Sequence, residues 1–410
     1  MKTSKNVSVN TNPKKIDEIL TKAVDKIYPS KDALRKVLLS GKRIRLYTGI
    51  DPTANFLHMG HMIWMRKHAE FQELGHEVIF LIGGFTAMIG DPDKKYTRVP
   101  LTKEQVEANF KDYKNQAKLI MDFDKKENPI AIKNNYDWLA KVKLEEWLSI
   151  MSHASLQQFM GHEMFRIRQE KGLSIRLHEL CYPLLQAYDS VHMDVDLQIG
   201  GSDQTFNMLM SRSLMAEMKN KEQYVMTLKL LTDSSGAKMG KTTSNAISFM
   251  DNSNEVFGKV MSFSDNMILL GFELCTDANM AELAEIANQL KDPGVNPMNL
   301  KKQLGIRITT AMYGKQAAEK AEKHFEHTVQ KGAFAEEAIN VKVKSSEPTI
   351  LDLLVEIKAV PSKSEGKRLI EQKAVEIDCK VISDKNAKVD LSREQSIKVG
   401  KRGFYKISLK

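Results

Sequence analysis

The sequence has few cysteines and no long apolar run. Its three cysteines, Cys181, Cys275 and Cys379, are scattered over 410 residues, and their spacing fits neither a metal site nor a disulfide framework. No apolar stretch reaches the roughly 18 residues that a membrane helix needs. The first fifteen residues lack the apolar core of a secretory signal, and no arginine precedes Arg35, which disfavours a transit peptide. These absences predict a protein of a reducing compartment, the cytoplasm, without a membrane partner.

The size and charge of the chain set further bounds. A length of 410 residues predicts two or three domains, each with its own core. The composition, 42% hydrophobic and 28% charged, is ordinary for a globular protein. The net charge of +9 indicates an anionic partner, although many globular proteins are equally basic.

The stretch from Leu46 to His61 organises the chain. A mostly apolar β-like run, Ile44 to Ile50, leads into a turn rich in Gly, Pro, Thr and Asn, and a helical pattern begins at His58-Met59-Gly60-His61. A strand followed by a helix N-terminus favours phosphate binding, because free N–H groups and the helix dipole face the anion. Histidines three residues apart share one side of the helix, where each can donate to a phosphate oxygen, and Gly60 admits a base or ribose close to the backbone. Two surface histidines on an ordinary βα turn are the alternative.

The same segment predicts a parallel sheet. The helix after His61 runs to Gly75, which suits a helix C-cap, and Val78 to Ile82 is a continuous apolar run typical of a strand buried on both faces. Arg45 to Ile82 is therefore expected to form a right-handed βαβ unit. Ligands bind at the carboxyl ends of such strands. The residues expected there are Tyr47, Asp51, Thr53, the two histidines and the loop Gly83 to Asp91.

Two further segments indicate a pocket for a small polar ligand. Tyr182, Gln186 and Asp189 are spaced four and three residues apart, so they share one face of a helix. Three hydrogen-bonding side chains on one face of the apolar segment Leu177 to Ser190 indicate a pocket, although a half-exposed helix is the alternative. After a strand-like segment, Gly200-Gly201-Ser202-Asp203-Gln204 supplies glycines for close approach and a carboxylate that can accept from ribose hydroxyls.

Two loops carry lysines. The loop D-K-K-Y-T-R after Pro92 offers three cations, either as a mobile clamp on phosphates or as a solvated surface loop, and the two interpretations weigh equally. The cations are Lys94, Lys95 and Arg98. Thr232 to Thr243 nearly fits the pattern G-x-x-x-x-G-K-[ST], but serine stands where the first glycine belongs, and no first βα unit surrounds the loop. We therefore reject a P-loop ATPase.

The last part of the chain has a different pattern. Residues 250–330 are largely helical, and the polar stretch Val341 to Thr349 looks like a linker. The segment Ile350 to Lys410 combines a basic helix with short strands and contributes +5 of the total charge of +9. This combination fits contact with RNA, with a charged but inert tail as the alternative. The candidate RNA contacts are Lys363, Lys367, Arg368, Lys401 and Arg402.

These motifs resemble those of a known family. His58-Met59-Gly60-His61 resembles the HIGH motif of class I aminoacyl-tRNA synthetases, and Lys238-Met239-Gly240-Lys241-Thr242 resembles their KMSKS loop. Either motif alone is weak, but their order and wide separation are specific. Tyr47, the segment Gly83 to Asp91, the Tyr182 to Asp189 set and a tail resembling an S4 RNA-binding domain narrow the resemblance to the bacterial tyrosyl-tRNA synthetases.

The resemblance implies an α/β fold with a Rossmann-like parallel-sheet catalytic domain, then an α-helical domain and a small α+β S4-like domain. The expected ranges are 1–245 for the catalytic domain with a helical insertion at about 102–170, 246–335 for the helical anticodon-side domain, 336–348 for a linker and 349–410 for the S4-like RNA-binding domain. The insertion sits where related synthetases form their dimer interface, so the resemblance also implies a homodimer.

The resemblance further implies residue roles, carried over by position. The substrate tyrosine is matched to Tyr47, Asp91, Tyr182, Gln186 and Asp189, with the phenol between Tyr47 and Asp189. The residues implied for ATP and the adenylate are Thr48, Gly60, Gly201, Asp203, Gln204, Lys238 and Lys241. Those implied for catalysis are Thr53, His58, His61, Lys238 and Lys241.

The implied reaction accounts for the lack of a catalytic triad or metal motif in the sequence. Adenylate formation needs no side-chain nucleophile, because the tyrosine carboxylate itself attacks the α-phosphate. No protein-bound metal is expected. The implied partners are ATP with Mg²⁺ on its phosphates, L-tyrosine and tRNA(Tyr).

Two alternatives stay open. A tryptophanyl-tRNA synthetase is the nearest enzymatic relative, and Tyr47, Asp189 and the S4-like tail disfavour it. An RNA-binding paralogue with a degenerate active site is disfavoured by the intact histidines and lysines of the two motifs. Gly240 stands where the class pattern has serine. The sequence therefore does not predict the rate at which the amino acid is activated.

Overall fold

The computed structural model describes residues 7–92, 100–161, 163–232, 246–327, 339–343, 345, 347–372, 374–378, 380–391, 393–400 and 403–409. Contacts between residues divide the chain into two compact units, 1–319 and 320–410. Seven predicted site residues lie outside the described residues. They are Lys94, Lys95, Arg98, Lys238, Lys241, Lys401 and Arg402.

The described chain alternates helices and strands for most of its length. The helices are α1 (Pro13–Ile19), α2 (Lys31–Leu39), α3 (Met59–Glu73), α4 (Thr86–Ile89), α5 (Lys103–Phe110), α6 (Tyr113–Ala117), α7 (Tyr136–Leu139), α8 (Leu144–Met151), α9 (Leu156–Met160), α10 (Glu163–Glu170), α11 (Leu177–Met193), α12 (Thr205–Lys219), α13 (Ser253–Met261), α14 (Met267–Cys275), α15 (Met280–Gln289), α16 (Pro297–Tyr313), α17 (Lys315–Phe325), α18 (Ile350–Glu356) and α19 (Lys363–Glu371). The strands are β1 (Val24–Tyr28), β2 (Arg45–Ile50), β3 (Glu77–Ile82), β4 (Ala131–Asn134), β5 (Leu197–Gly201), β6 (Tyr224–Leu228), β7 (Ile339–Val343), β8 (Val375–Ile377), β9 (Lys380–Val381), β10 (Gln395–Val399) and β11 (Gly403–Leu409).

A six-stranded sheet forms the centre of the first unit. Its order is β1-β6-β5-β2-β3-β4, with β2 to β6 parallel and β1 antiparallel to β6. Successive side chains of β3 enter two different cores, Val78 and Phe80 on one face and Ile79 and Leu81 on the other. Both faces of the sheet are thus covered, which confirms the expected α/β architecture with a parallel sheet.

The predicted βαβ unit is confirmed. β2 leads through a turn to α3, whose N-cap is His58, and β3 then lies parallel to β2 with Tyr47 opposite Ile79. Gly75 ends the helical segment with a φ of +92°, where an added Cβ would also collide with the Ser8 carbonyl.

Two segments of the first unit differ from the expected helical pattern. Ile16, Leu20, Ala23 and Ile27 have the spacing of one helix face, but α1 ends at Ile19 and β1 follows. Ala23, with a φ of +61°, breaks the helical path between them. Within the predicted helical insertion 102–170, β4 extends the sheet beside β3. Both missed strands depend on a partner far away in sequence, which local periodicity does not report.

The second unit has its own sheet and core. Its strand order is β7-β11-β10-β8-β9, and its core includes Leu353, Ile370, Ile397 and Ile407. The segment expected to be a linker, 336–348, contains β7, which pairs in parallel with β11. The expectation of a structureless linker was therefore wrong for β7, whose sequence I-N-V-K-V alternates apolar and polar residues as strands do.

In the parts of the chain that the structure describes, no helix is both long and apolar enough to cross a membrane.

Candidate active site

A cavity of about 440 Å³ lies at the carboxyl ends of β2, β3 and β5. Every predicted site residue of the first unit that the structure describes lines this cavity. These residues are Tyr47, Thr48, Thr53, His58, Gly60, His61, Asp91, Tyr182, Gln186, Asp189, Gly201, Asp203 and Gln204. The fold thus brings residues from four separate segments of the sequence together at one site.

The cavity opens where two neighbouring strands separate. β2 pairs with β3 at six positions but with β5 at two, the second being Tyr47 opposite Gln198. Immediately beyond, the Thr48 hydroxyl donates to the Ile199 carbonyl at 2.5 Å, so a side chain replaces the backbone ladder. Such a switch point in strand order leaves a crevice at the carboxyl ends of the strands, where ligands bind in open α/β sheets.

The two histidines form a reciprocal cap on α3. His58 Nδ1 accepts from the Gly60 N–H at 3.2 Å, and His61 Nδ1 accepts from the His58 N–H at 3.0 Å. Their ring centroids are 3.8 Å apart. Because each Nδ1 lone pair already accepts a hydrogen bond, each neutral ring carries its hydrogen on Nε2. The pair therefore presents two N–H donors at a helix N-terminus, where negative charge is stabilised.

The segment that follows residues 233–245 returns to the histidine turn. The Met59 N–H donates to the Ile247 carbonyl and the Phe249 N–H donates to the Leu57 carbonyl, both at 2.9 Å. On the other side of residues 233–245, Leu230 and Leu231 line the cavity. The described residues on both sides of the predicted lysine loop therefore lie at this site.

A buried carboxyl and a buried phenol form one end of the cavity. Asp189, 2% exposed, accepts from Asn135 Nδ2 at 3.0 Å and from Trp138 Nε1 at 2.8 Å, one donor to each oxygen. Burial nevertheless raises the pKa of this carboxyl to about 8. Burial and the nearby Asp189 also raise the pKa of the fully buried Tyr47, which therefore stays neutral. An acceptor beside a phenolic hydroxyl suits a ligand hydroxyl that both donates and accepts.

A second group of polar side chains lies around two carboxylates. Asp51 accepts from the Thr86 hydroxyl at 2.7 Å and from the Tyr182 hydroxyl at 3.0 Å. Asp91 accepts from Gln204 Nε2 at 2.8 Å. Burial, with these two carboxylates nearby, holds the pKa of Tyr182 well above its usual value. Two carboxylates near one phenol make this region suitable for a ligand cation.

Close packing at two glycines leaves no room for a side chain. A Cβ at Gly201 would collide with the Asp203 carboxylate and the Leu230 side chain, and one at Gly83 would collide with Asp51 and Thr86. Any larger residue at either position would displace a polar group that lines the cavity.

Sequence reasoning did not assign three polar neighbours of the site. Asn135 and Trp138 belong to none of the predicted motifs, and Thr86 lies within the predicted loop Gly83 to Asp91. Asn135 and Trp138 reach Asp189 from the segment after β4, a strand that was itself missed. Nothing in local spacing indicates these long-range contacts.

The described RNA-binding candidates lie on the exposed side of α19. Lys363, Lys367 and Arg368 are all exposed, Lys363 pairs with Asp352, and Arg368 pairs with Glu365. Among described residues, no group of three or more His, Cys, Asp or Glu side chains is placed to hold a metal ion.

Comparison with known sequences gives consistent matches over most of the chain. The profile of the family described as tRNA synthetases class I (W and Y) matches residues 39–330. The tyrosine–tRNA ligase of Dehalococcoides mccartyi strain 195 is 38% identical over 401 residues, covering 97% of this chain and 100% of the relative. The tyrosine–tRNA ligase of Thermotoga maritima is 37% identical over 398 residues, covering 97% and 98%.

Comparison with solved structures supports the fold. A C-terminally truncated mitochondrial tyrosyl-tRNA synthetase of Coccidioides posadasii superposes with a TM-score of 0.60 at 24% identity, covering 76% of this chain and 91% of that chain. The tyrosyl-tRNA synthetase of Archaeoglobus fulgidus, solved with L-tyrosine, gives 0.59 at 19% identity, covering 76% and 100%.

The raised pKa of Asp189 predicts a pH-dependent cost to stability. The native carboxyl holds its proton up to about pH 8, whereas the unfolded one releases it near its ordinary value of 3.8. The folded state therefore binds more protons between these values, and this group lowers the stability as pH rises through that window. We therefore compare the melting temperature of Asp189→Asn with that of wild type at each pH. We expect the difference, variant minus wild type, to be larger at pH 8 than at pH 5.

The matched control is Asp137→Asn, which removes an exposed carboxyl from the neighbouring helix α7. A difference between Asp189→Asn and wild type that does not change with pH, or that the control reproduces, would contradict the prediction.

Proposed function

We propose that this chain is a tyrosine–tRNA ligase. It belongs to the class I tRNA synthetases for tryptophan and tyrosine. It activates L-tyrosine with ATP and then esterifies tRNA(Tyr) for protein synthesis. One observation carries the assignment. A single cavity holds both a buried phenol and carboxyl, Tyr47 and Asp189, and a histidine pair at a helix N-terminus.

Selection of tyrosine takes place at the buried end of the cavity. The substrate hydroxyl accepts from Tyr47 and donates to Asp189, whose oxygens are oriented by two other N–H donors. Phenylalanine would leave both hydrogen bonds to the substrate hydroxyl unmade, and each unmade buried hydrogen bond costs about 1–3 kcal/mol. The residues proposed for the substrate ammonium are Asp91, Tyr182 and Gln186.

Activation is a displacement at phosphorus. A carboxylate oxygen of tyrosine forms a bond to the α-phosphorus, the bond from that phosphorus to the bridging oxygen breaks, and pyrophosphate leaves. No side chain needs to take a proton, so the protein acts by alignment and by stabilising the charge that develops. A hydroxyl of the terminal tRNA ribose then attacks the carbonyl carbon of the adenylate, and AMP leaves.

Hydrogen-bond donors and cations serve the nucleotide. The proposed contacts to the phosphates are Thr53, His58, His61, Lys238 and Lys241, with Lys94, Lys95 and Arg98 as a further clamp. The proposed contacts to the nucleoside and adenylate are Thr48, Gly60, Gly201, Asp203 and Gln204. Mg²⁺ enters with ATP and shields its phosphates. The donors at the N-terminus of α3 support this assignment.

We further propose a homodimer that forms through the 102–170 segment. α8 in this segment carries Leu144, Leu148 and Met151, spaced four and three residues apart, with exposed fractions of 73%, 58% and 40%. An apolar stripe this exposed on one helix face is typical of an interaction surface.

The C-terminal segment, 349–410, is proposed as the S4-like domain that binds tRNA, after a helical domain over 246–335. Its net charge of +5 and the exposed cations of α19 support electrostatic contact with the RNA backbone. The two described cysteines, Cys181 and Cys275, are unpaired, which fits the proposed cytoplasmic location.

Amino-acid-dependent ATP–pyrophosphate exchange tests the assignment. We expect exchange with tyrosine, none above background with tryptophan, and with phenylalanine only a slow exchange that is measurable at high substrate concentration, because only tyrosine pairs with both Tyr47 and Asp189. Exchange with tryptophan would overturn the interpretation of that pair. If folded protein shows no exchange with any of the three, an RNA-binding paralogue becomes the better assignment.

Lys238→Ala tests the lysine loop. We expect the rate of adenylate formation to fall roughly a hundredfold, with little change in tyrosine affinity, because the lysine acts on charge that develops in the transition state. Rapid-quench measurement gives the rate, and equilibrium dialysis gives the affinity. Lys229→Ala, which removes a lysine paired with Glu273, is the control. Equal losses of rate and affinity would contradict a transition-state role.

Removal of residues 339–410 tests the RNA-binding segment. This cut removes β7 together with its partner β11, so that β7 is not left as an unpaired strand. We expect tyrosine-dependent exchange to persist and charging of tRNA(Tyr) to be lost at physiological salt, because the phosphate contacts are gone. Full charging activity of the shortened chain would rule out an essential RNA-binding role.

A further inference from the structure

Behind Tyr47, on the side away from the cavity, lies a short chain of buried polar groups. The Tyr47 hydroxyl is 2.7 Å from Ser190 Oγ, and Ser190 Oγ accepts from Gln223 Nε2 at 3.1 Å. All three residues are fully buried, and they come from β2, from α11 and from the residue before β6. Neither Ser190 nor Gln223 lines the cavity.

The direction of the hydrogen bonds in this chain follows from its donors. In the structure the Gln223 amide directs Nε2 to Ser190, while its buried Oε1 has no hydrogen-bond partner among the described residues, so Ser190 must place its own hydrogen elsewhere. Among the hydrogen bonds of the described residues, the Tyr47 oxygen is the one acceptor within reach of that hydrogen. A buried hydroxyl left without an acceptor is costly, so Ser190 donates to Tyr47.

The hydroxyl of Ser211, a second buried serine beside Tyr47, does not donate to Tyr47. Ser211 lies near enough to lower the pKa of the Tyr47 phenol, but its hydroxyl donates along its own helix to the Asn207 carbonyl at 3.1 Å. Its hydrogen is therefore already in use. The two serines are equally buried and lie beside the same phenol, but only Ser190 has a hydroxyl hydrogen that is available to Tyr47.

The donation from Ser190 decides what Tyr47 offers to a ligand. With its oxygen accepting from Ser190, Tyr47 is free to donate its own hydrogen into the cavity. The two oxygens of Asp189 already accept from Asn135 and Trp138, and a carboxyl oxygen has a further lone pair with which it can accept from a ligand hydroxyl. A ligand hydroxyl placed between them accepts from Tyr47 and donates to Asp189.

We propose that Ser190 and Gln223 are positioning residues for amino-acid selection, aligned as a one-way chain of donors from Gln223 through Ser190 and Tyr47 to the substrate hydroxyl and on to Asp189. The proposal rests on the tyrosine–tRNA ligase function. Each bond in such a chain polarises the next, so a change two residues away from the substrate alters recognition of its hydroxyl.

Ser190→Ala tests the chain through the two amino acids tyrosine and phenylalanine. We expect kcat/KM for tyrosine in pyrophosphate exchange to fall roughly three- to tenfold, the effect of one hydrogen bond. The kcat/KM for phenylalanine, measured with phenylalanine purified from traces of tyrosine, should stay within about twofold of the wild-type value. The KM for ATP should also stay within about twofold, because neither ligand uses the Tyr47 hydrogen. Active sites are counted by stoichiometric adenylate formation, so partial unfolding does not affect the comparison.

Ser211→Ala is the matched control, since it removes an equally buried hydroxyl next to the same phenol. It should change the ratio of tyrosine to phenylalanine activation by less than about twofold, because the bond it breaks leads away from Tyr47. A loss of selectivity in Ser211→Ala but not in Ser190→Ala would overturn the proposal.

Gln223→Met shows whether glutamine acts through serine. It should lower tyrosine activation less than Ser190→Ala does, and the double variant should lose no more than Ser190→Ala alone, because the effects of coupled residues are not additive. Additive losses, or equal losses for tyrosine and phenylalanine, would mean that the two residues merely support the fold. If wild-type protein shows no tyrosine-dependent exchange, the ligase function fails first, and that result is distinct from any of these.

Discussion

The separation of β2 from β5 after Tyr47 is the constraint on which the rest of the site depends. Had the two strands stayed paired to their ends, as β2 and β3 do, the space beside Thr48 would be filled by backbone. Because the two strands separate, the chain continues from β2 into the histidine turn and from the end of β5 through Gly200 and Gly201. The cavity lies between these two exits from the sheet. The polar groups described at the site come from these two exits, from the segments that follow β3 and β4, and from α11.

Burial gives the regions of the cavity different electrostatic character. Carboxylates and neutral phenols lie around Asp51 and Asp189, where they favour a cation and a shared hydroxyl. Ring N–H groups lie at the start of α3, where they favour an anion. An amino acid carrying both an ammonium and a phenol, joined to a nucleotide phosphate, matches this order from one end of the cavity to the other.

Much of the site could be predicted because its signals are local. The histidines bracket Gly60 on one turn, and Tyr182, Gln186 and Asp189 follow the period of one helix, so short-range spacing suffices. The polar groups that support them could not be predicted in this way. Asn135, Trp138 and Gln223 reach α11 from segments far away in sequence, and nothing near them marks the contact. The missed strands β1, β4 and β7 have the same cause, since a short strand is stabilised by a partner that local sequence does not reveal.

The reciprocal cap on α3 limits how these two positions can change during evolution. Each histidine accepts a backbone N–H with Nδ1, and a neutral ring then carries its hydrogen on Nε2. A replacement that preserves the helix start must supply an acceptor at the same reach, and one that preserves binding must also supply a donor. Asparagine meets both requirements within a short side chain, whereas leucine or lysine meets at most one of them. Few substitutions at His58 and His61 can therefore satisfy both demands, because the start of α3 and the proposed phosphate contacts depend on the same two side chains.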